Sequence, residues 1–409
     1  MLHKIWFGFI ISAFVATCYN VAVTGDFGSF EEVMNAVTSM ARTSVDIAIG
    51  LIGLLAFWLG IFKIAENSGL INKFARVLSP LLCRIMPDIP KDHPALGSIT
   101  MNMSANVLGL DNAATPFGIK AMQDMQSLSP VKDTLSNSQI LFLVLNTSSV
   151  TLFPIAVFLY RADAGAAQPT DVFIPILLAT SCSTLTGLFV TCAVQRVNLF
   201  NKVVLTYLVG MFSLLAAVIL YFSKLASEQL AAQSSFIANF ALFLFIVVVL
   251  IAGVRKKQNT YEQFVEGAKQ GFEVAIGIIP YLVAMLFAIG MLRASGVMDL
   301  VIGGIASTVA MLGFDTMFVD ALPNALMKPL SGSGARALMI ETMQFHGADS
   351  FAGRLASVMQ GSTETTFYVL AVYLGAVGIK HSRYAVGCCL AADLAGILAA
   401  IFVSYWFFA

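Results

Sequence analysis

Apolar runs of transmembrane length dominate the chain, separated by short polar segments. Crossing the hydrocarbon core takes about 20 mostly apolar residues in a helix. Nine stretches meet that requirement, approximately 5–23, 44–65, 138–160, 172–194, 203–222, 235–254, 274–292, 358–376 and 384–408. Two more, about 66–135 and 293–357, are too broken by Pro, Gly, Asn and charge to span cleanly, yet too apolar for plain loops. They read as amphipathic interfacial helices followed by re-entrant hairpins, which persist at membrane depth only when buried against protein or lining a polar cavity. The pattern predicts an all-α polytopic membrane protein with about nine transmembrane helices.

Composition agrees and narrows the chemistry. Hydrophobic residues make up 58% of the 409 and charged residues 11%, outside the range of a water-soluble globular domain. The formal net charge is zero, so there is no basic footprint for nucleic acid. The six cysteines form no CxxC pair and the four histidines are scattered, so neither a metal site nor a cofactor is expected. A Walker lysine motif, a GxSxG elbow and an HExxH motif are all missing, which argues against an ATP-driven pump or a familiar hydrolase. Residues 5–23 have a competing reading as a signal peptide, since Lys4 precedes the apolar run and Val15-Ala16-Thr17-Cys18 is loosely like a lipoprotein cleavage box. Thr17 before the cysteine weakens that reading, and the internal repeat favours a retained helix.

Lys and Arg are enriched on the cytoplasmic side of membrane proteins. With the N-terminus inside, cytoplasmic segments hold fifteen basic residues, among them Lys73, Arg76, Arg84, Lys91 and the run Arg255-Lys256-Lys257. The outside segments hold only seven: Arg42, Arg161, Lys224, Arg293, Lys328, Arg336 and Arg354. The expected protein lies in a bacterial cytoplasmic (inner) membrane, with N-terminus inside and C-terminus outside.

The chain also resembles itself. A shift of 227 residues aligns 45–71 with 272–298, with eight identities in 27 positions that include Ala48-Ile49-Gly50 on Ala275-Ile276-Gly277 and Ser68-Gly69 on Ser295-Gly296. Further on, Asn146–Phe153 lies opposite Gln360–Phe367. Span 203–222 belongs to neither half, and one extra crossing inverts the second half relative to the first. The expected organisation is a first repeat over 1–195, a linker helix within 196–230 and an inverted second repeat over 231–409. Secondary transporters recurrently use this architecture, with a site between the repeats near the midplane.

The block from Asn102 to Pro116, NMSANVLGLDNAATP, resembles the signature region of spore maturation protein A. Leu330–Arg336, Gly361–Val369 and Tyr373-Leu374-Gly375 resemble spore maturation protein B. Nearly the whole chain is thus similar to a fusion of the two, within the nucleoside-recognition or Gate domain family. The resemblance implies a membrane domain of re-entrant hairpins and broken helices, similar to the membrane regions of concentrative nucleoside transporters and of ferrous-iron transport protein B. Function has still to be argued from the site.

Polar residues inside a bilayer need a partner, water or a ligand. Four clusters occupy equivalent places in the two halves. Asn102, Ser104, Asn106, Asp111 and Asn112 lie in the first re-entrant region, and Asn146, Thr147, Ser148 and Ser149 inside the third span. Ser331, Ser333, Arg336 and Glu341 lie in the second re-entrant region, and Ser362, Thr363, Glu364, Thr365 and Thr366 inside the eighth span. Such runs let a helix unwind, freeing backbone groups to bind a solute, and hydroxyls and amides add neutral hydrogen bonds. Each Ser or Thr alone is adequately explained by packing or by bonding back to the preceding turn; recurrence in both halves is what favours substrate binding. Glu364 and Asp393 lack a helix-mate of opposite charge and are the ion-coupling candidates, with Arg336 a conceivable partner for either.

The expected activity is secondary transport or permeation of a small polar solute, with H+ or Na+ as coupling ion, by alternating access. A non-transporting component of a cell-envelope or spore-maturation assembly is the alternative. An embedded enzyme is least favoured, because no nucleophile and base stand out as a pair. The expected partners are the solute and the lipid bilayer, with a homo-oligomer left open.

Overall fold

The computed structural model describes residues 2–90, 92–109, 111–129, 131–148 and 150–409, apart from the side chains of residues 2, 3 and 111–113. Ser149, Lys91 and the side chains of Asp111 and Asn112 therefore lie outside the described residues.

The chain opens with α1 (Leu2–Thr24) and the 40-residue α2 (Gly28–Asn67), then α3 (Leu70–Ile85), α4 (Pro94–Val107) and α5 (Asp111–Leu128). Next come α6 (Asn137–Thr147), α7 (Ile155–Asp163) and α8 (Phe173–Gln195). After α9 (Lys202–Phe222), a similar order begins again with α10 (Ser227–Arg255), α11 (Thr260–Ala294) and α12 (Val297–Met311). A 3-10 turn then leads into α13 (Leu322–Met327), α14 (Gly332–His346), α15 (Phe351–Ser362), α16 (Thr366–Val377) and α17 (Ala385–Phe408). Seven of the described helices, α1, α2, α8, α9, α10, α11 and α17, are long and apolar enough to cross a membrane. The protein is an all-α polytopic membrane protein.

Two expected spans are not continuous helices. Residues 138–160 divide into α6 and α7, and 358–376 into α15 and α16, each pair separated at the polar run. At 1.5 Å per residue, none of these four pieces alone reaches across a hydrocarbon core about 30 Å thick. Spans 44–65 and 274–292 differ from expectation in the opposite sense: each begins well before its expected start, as the continuation of the first turns of α2 and α11. Between Ser29 and Ile49 no Gly or Pro interrupts the intrahelical bonding, so α2 runs for about 60 Å. Both long helices stop at the repeated Ser-Gly pair. Ser68 and Ser295 are the C-caps, and Gly69 and Gly296 then adopt φ of +75° and +78°, where a side chain would be strained.

α2 and α11 form the most extensive helix contact and run antiparallel. Gly267 lies against Leu59 and Gly60, Gly271 against Ala56, and Gly290 against Met40, so positions rise along one helix as they fall along the other. The contact is of the small-residue kind that lets helices approach closely without a hydrophobic drive between them. α8 and α17 pack the same way around Gly187, which sits against Ala392, and Gly396, which sits against Ser183. Here Ser183 Oγ donates to the Ala392 carbonyl at 2.9 Å. α6, α8 and α15 are buried along most of their length, whereas α9 and α10 turn large apolar side chains such as Phe212, Leu214, Phe240 and Phe243 outward, as a lipid-facing shell requires.

Two clusters tie loops together at opposite ends of α8, about 35 Å apart by its 23 residues. At its N-terminal end, the α7–α8 and α14–α15 loops meet. The guanidinium of Arg161, fully buried, donates to Asp171 at 3.0 Å, Asp349 at 3.2 Å and the Ala348 carbonyl at 2.7 Å. Arg354 donates to the other Asp171 oxygen at 2.7 Å, so one buried carboxylate bridges two arginines. At the other end, the α5–α6 and α16–α17 loops meet through the main chain. Leu135 N donates to the His381 carbonyl at 3.1 Å, Lys380 N donates to the Asp133 carbonyl at 2.9 Å, and Arg383 donates to the Leu135 carbonyl at 3.0 Å.

Candidate functional site

The two helix breaks meet. Between α6 and α7 the chain leaves helical geometry at Ser148 and over 150–154, and between α15 and α16 over 363–365. Unwinding exposes main-chain groups that a continuous helix would occupy. Glu364 N donates to the Thr147 carbonyl at 2.7 Å, one break bonding to the other through backbone alone. Each break also holds a hairpin tip. Leu152 N donates to the Val107 carbonyl at 2.8 Å, which pins the turn between α4 and α5, and Phe367 N donates to the Pro329 carbonyl at 2.9 Å, which pins the turn between α13 and α14.

Gly109 makes the first of these contacts possible. It has φ of +74°, and a Cβ there would lie 2.7 Å from the Phe153 carbonyl oxygen. Gly109→Ala should therefore displace the hairpin tip from the break, at a cost of about 1–3 kcal/mol. Faster amide exchange confined to 104–109 and 150–154 is the expected signature; unchanged protection in both segments would refute it.

The candidate residues sort into three groups by their contacts. Asn102, Asn106 and Asn146 come together. Asn106 Nδ2 donates to Asn146 Oδ1 at 2.9 Å, and Asn102 Nδ2 donates to the Ala114 carbonyl at 2.8 Å. Tyr373 of α16 completes the cluster, lying 3.3 Å from Asn102 Nδ2 and donating to Asn146 Oδ1 at 3.4 Å. A hairpin, a broken helix and the second half of the chain are thereby cross-linked.

The second group bonds locally. Ser104 donates back to the Thr100 carbonyl, Thr147 and Ser148 to that of Val144, and Ser362 to that of Met359. Ser331 caps α14, accepting from Gly334 N at 3.0 Å, with the Ser333 hydroxyl 3.3 Å away. Thr365 packs on Gly332, where an added Cβ would meet its Oγ1 at 2.6 Å. Glu341 is buried and paired with Arg293 of α11, and does not line the central cavity.

The third group faces a cavity of about 380 Å³ between the breaks, the second hairpin and the α2–α11 pair. Thr363, Glu364 and Arg336 line it, together with Lys328 and Gln360, which the sequence reading did not single out. Glu364 is exposed to this space while its main chain is held at the crossing. The Arg336 guanidinium lies 5.5 Å from the centroid of the Tyr160 ring. Thr363 is 4% exposed, and its Oγ1 has no hydrogen-bond partner among the described residues; the same holds for Gln360 Oε1. Trp58, Phe62 and Phe153 give the walls an aromatic character, and Lys63 paired with Glu66 at 3.5 Å also lines the space.

Asp393 lies beside the cavity rather than in it. It is 2% exposed and accepts from the Thr366 hydroxyl, at the first turn of α16, at 2.7 Å; its other oxygen has no partner among the described residues. Burying a carboxylate with one oxygen unmatched is costly, so this position stands out energetically as well as by its place next to the break.

The class these features define is a polytopic membrane protein built around two tethered hairpins and two broken helices, with a cavity of mixed apolar and charged lining at their junction. The chain belongs to the Gate family, described as nucleoside recognition, whose pattern matches residues 48–162 and 275–380. It is 42% identical over 183 residues to spore maturation protein A of Bacillus subtilis (strain 168), covering 45% of this chain and 90% of that protein. It is 46% identical over 160 residues to spore maturation protein B of the same organism, covering 39% of this chain and 88% of that protein. No solved structure matches the chain.

Proposed function

We propose that the protein is a secondary transporter or permease for a small polar solute, working by alternating access between two inverted halves. The halves are residues 1–195, similar to spore maturation protein A, and 231–409, similar to spore maturation protein B, joined by α9 within 196–230. The membrane is the bacterial cytoplasmic membrane, with the N-terminus inside and the C-terminus outside. Antiparallel packing of α2 with α11 and of α8 with α17 supports the inversion, since each pair consists of helices at equivalent places in the two halves. The loop clusters support it too: each joins a loop after one half's broken helix to a loop before the other half's.

The observation that carries the reading is the cavity of about 380 Å³, lined from both halves where the breaks cross. A space carrying charged side chains at the meeting point of discontinuous helices is the arrangement in which transporters hold substrate and coupling ion. Glu364, facing the space, and Asp393, behind it, are the groups we assign to H+ or Na+ coupling.

Proteoliposomes loaded with nucleosides, amino acids and small acids should lose one component when a proton or sodium gradient is imposed. An ionophore should abolish that flux, and Glu364→Gln or Thr363→Val should lower it by about tenfold or more. Full coupled flux in both variants would overturn the site assignment. The names of the two relatives favour a second reading, a non-transporting part of a spore-maturation or envelope assembly. A stable complex with another protein and no flux under any gradient would select it.

A further inference from the structure

We infer that the cavity takes a zwitterion of the amino-acid class, a molecule with a carboxylate, an ammonium group and an apolar body. The inference rests on the cavity being the solute site proposed above, and it concerns what the walls can recognise.

Charge of both signs reaches the space. Lys328 and Arg336 come from the second hairpin and Glu364 from the second break. Whatever contacts the two cations also make within the protein, a carboxylate entering the cavity gains a charge-assisted bond that a neutral solute lacks. A guanidinium suits it particularly, because its planar fork matches the two carboxylate oxygens. Glu364 offers the same kind of bond to an ammonium, which a simple anion cannot use. A simple cation meets the reverse difficulty at Lys328 and Arg336.

Two buried atoms of wall residues that have no partner among the described residues add an independent constraint. Gln360 Oε1 is a carbonyl acceptor, so only a donor can match it, and it lies four residues before Glu364 on the same wall. Thr363 Oγ1, next to Glu364, can donate or accept. The wall from Gln360 to Glu364 thus carries three side chains with oxygens able to accept, for which an ammonium with three N–H groups is the matching donor. Aromatic walls from Trp58, Phe62 and Phe153 suit an apolar side chain, and about 380 Å³ falls within the usual range for small-molecule sites.

The test uses the full chain in lipid nanodiscs. Thermal-shift screening of the standard amino acids selects the one that raises the melting point most, and calorimetry compares it with its decarboxylated amine, its deaminated acid and uridine. The zwitterion should bind at least about tenfold more tightly than each of the other three. Glu364→Gln should erase its advantage over the deaminated acid while keeping its advantage over the amine, and Arg336→Gln should do the opposite. If Glu364→Gln does not yield folded protein, Gln360→Leu reads the ammonium end instead. No stabilisation by any amino acid, or binding of uridine or the acid as tight as that of the zwitterion, overturns the inference. Tight zwitterion binding without flux under any gradient sinks the transport reading alone; gradient-driven uridine flux without amino-acid binding sinks the zwitterion alone.

Discussion

Asp171→Ala should be among the most destabilising single substitutions in the protein, at about 3–5 kcal/mol. Asp171 is fully buried, and its two oxygens accept from Arg161 and Arg354 at 3.0 and 2.7 Å. Removing it leaves Arg161 in a dry site with only the partly exposed Asp349 and carbonyl groups as partners, beside a second arginine. A buried pair is weak evidence of net stabilisation, but breaking one side of it exposes the full desolvation cost of the other. The variant should unfold at clearly lower temperature in detergent, and Arg161→Ala should lose less when added to it than when made alone. A melting point equal to that of the parent would show that the cluster does not hold these loops.

The second large effect is expected at Gly271. A Cβ there would lie 2.5 and 2.6 Å from the main-chain Cα and N of Ala56, and at Gly267 a Cβ would lie 2.3 Å from the Leu59 carbonyl oxygen. Backbone cannot swing aside as a flexible side chain can, so Gly271→Val must push α2 and α11 apart. Overpacking of this kind costs typically about 1–3 kcal/mol, and here the strain is spread along the longest contact in the molecule. Gly277→Val is the matched control, since nothing lies within 4 Å of its added Cβ. Equal melting points for the two variants would contradict the close approach.

The membrane spans were legible in the sequence because a bilayer imposes a length on every apolar run: α1, α8, α9 and α17 fall close to the expected limits, while α10 begins eight residues before its expected span of 235–254. The breaks were legible for a related reason: Thr147-Ser148 and Thr363 to Thr366 are polar runs in otherwise apolar helices, and such runs mark where main chain leaves the helix. The early start of α2 was harder, since amphipathic pattern identifies which face meets water but says nothing about where one helix stops unless a breaker intervenes.

The candidate residues were less legible, because recognising a polar residue in a membrane does not identify what it touches. Asn102, Asn106 and Asn146 share one network, whereas Ser104 and Ser362 spend their hydroxyls on the preceding turn. Glu341 has its partner in Arg293, 48 positions away. Arg161 and Arg354 looked like ordinary loop charges, and only the meeting of two distant loops buries the first of them. Tyr373 entered only as part of a motif; its role depends on a contact 271 positions distant.

α9 buries only Val204 and Phe222 among its described residues, so it contributes little packing to the rest of the chain. Under the proposed division of the chain into two halves, its physical effect is that of a leash. A covalent tether makes association of its two ends unimolecular, with an effective concentration set by linker geometry rather than by expression level. The two halves are consequently produced in a fixed one-to-one ratio, and neither has to find the other by diffusion in the bilayer.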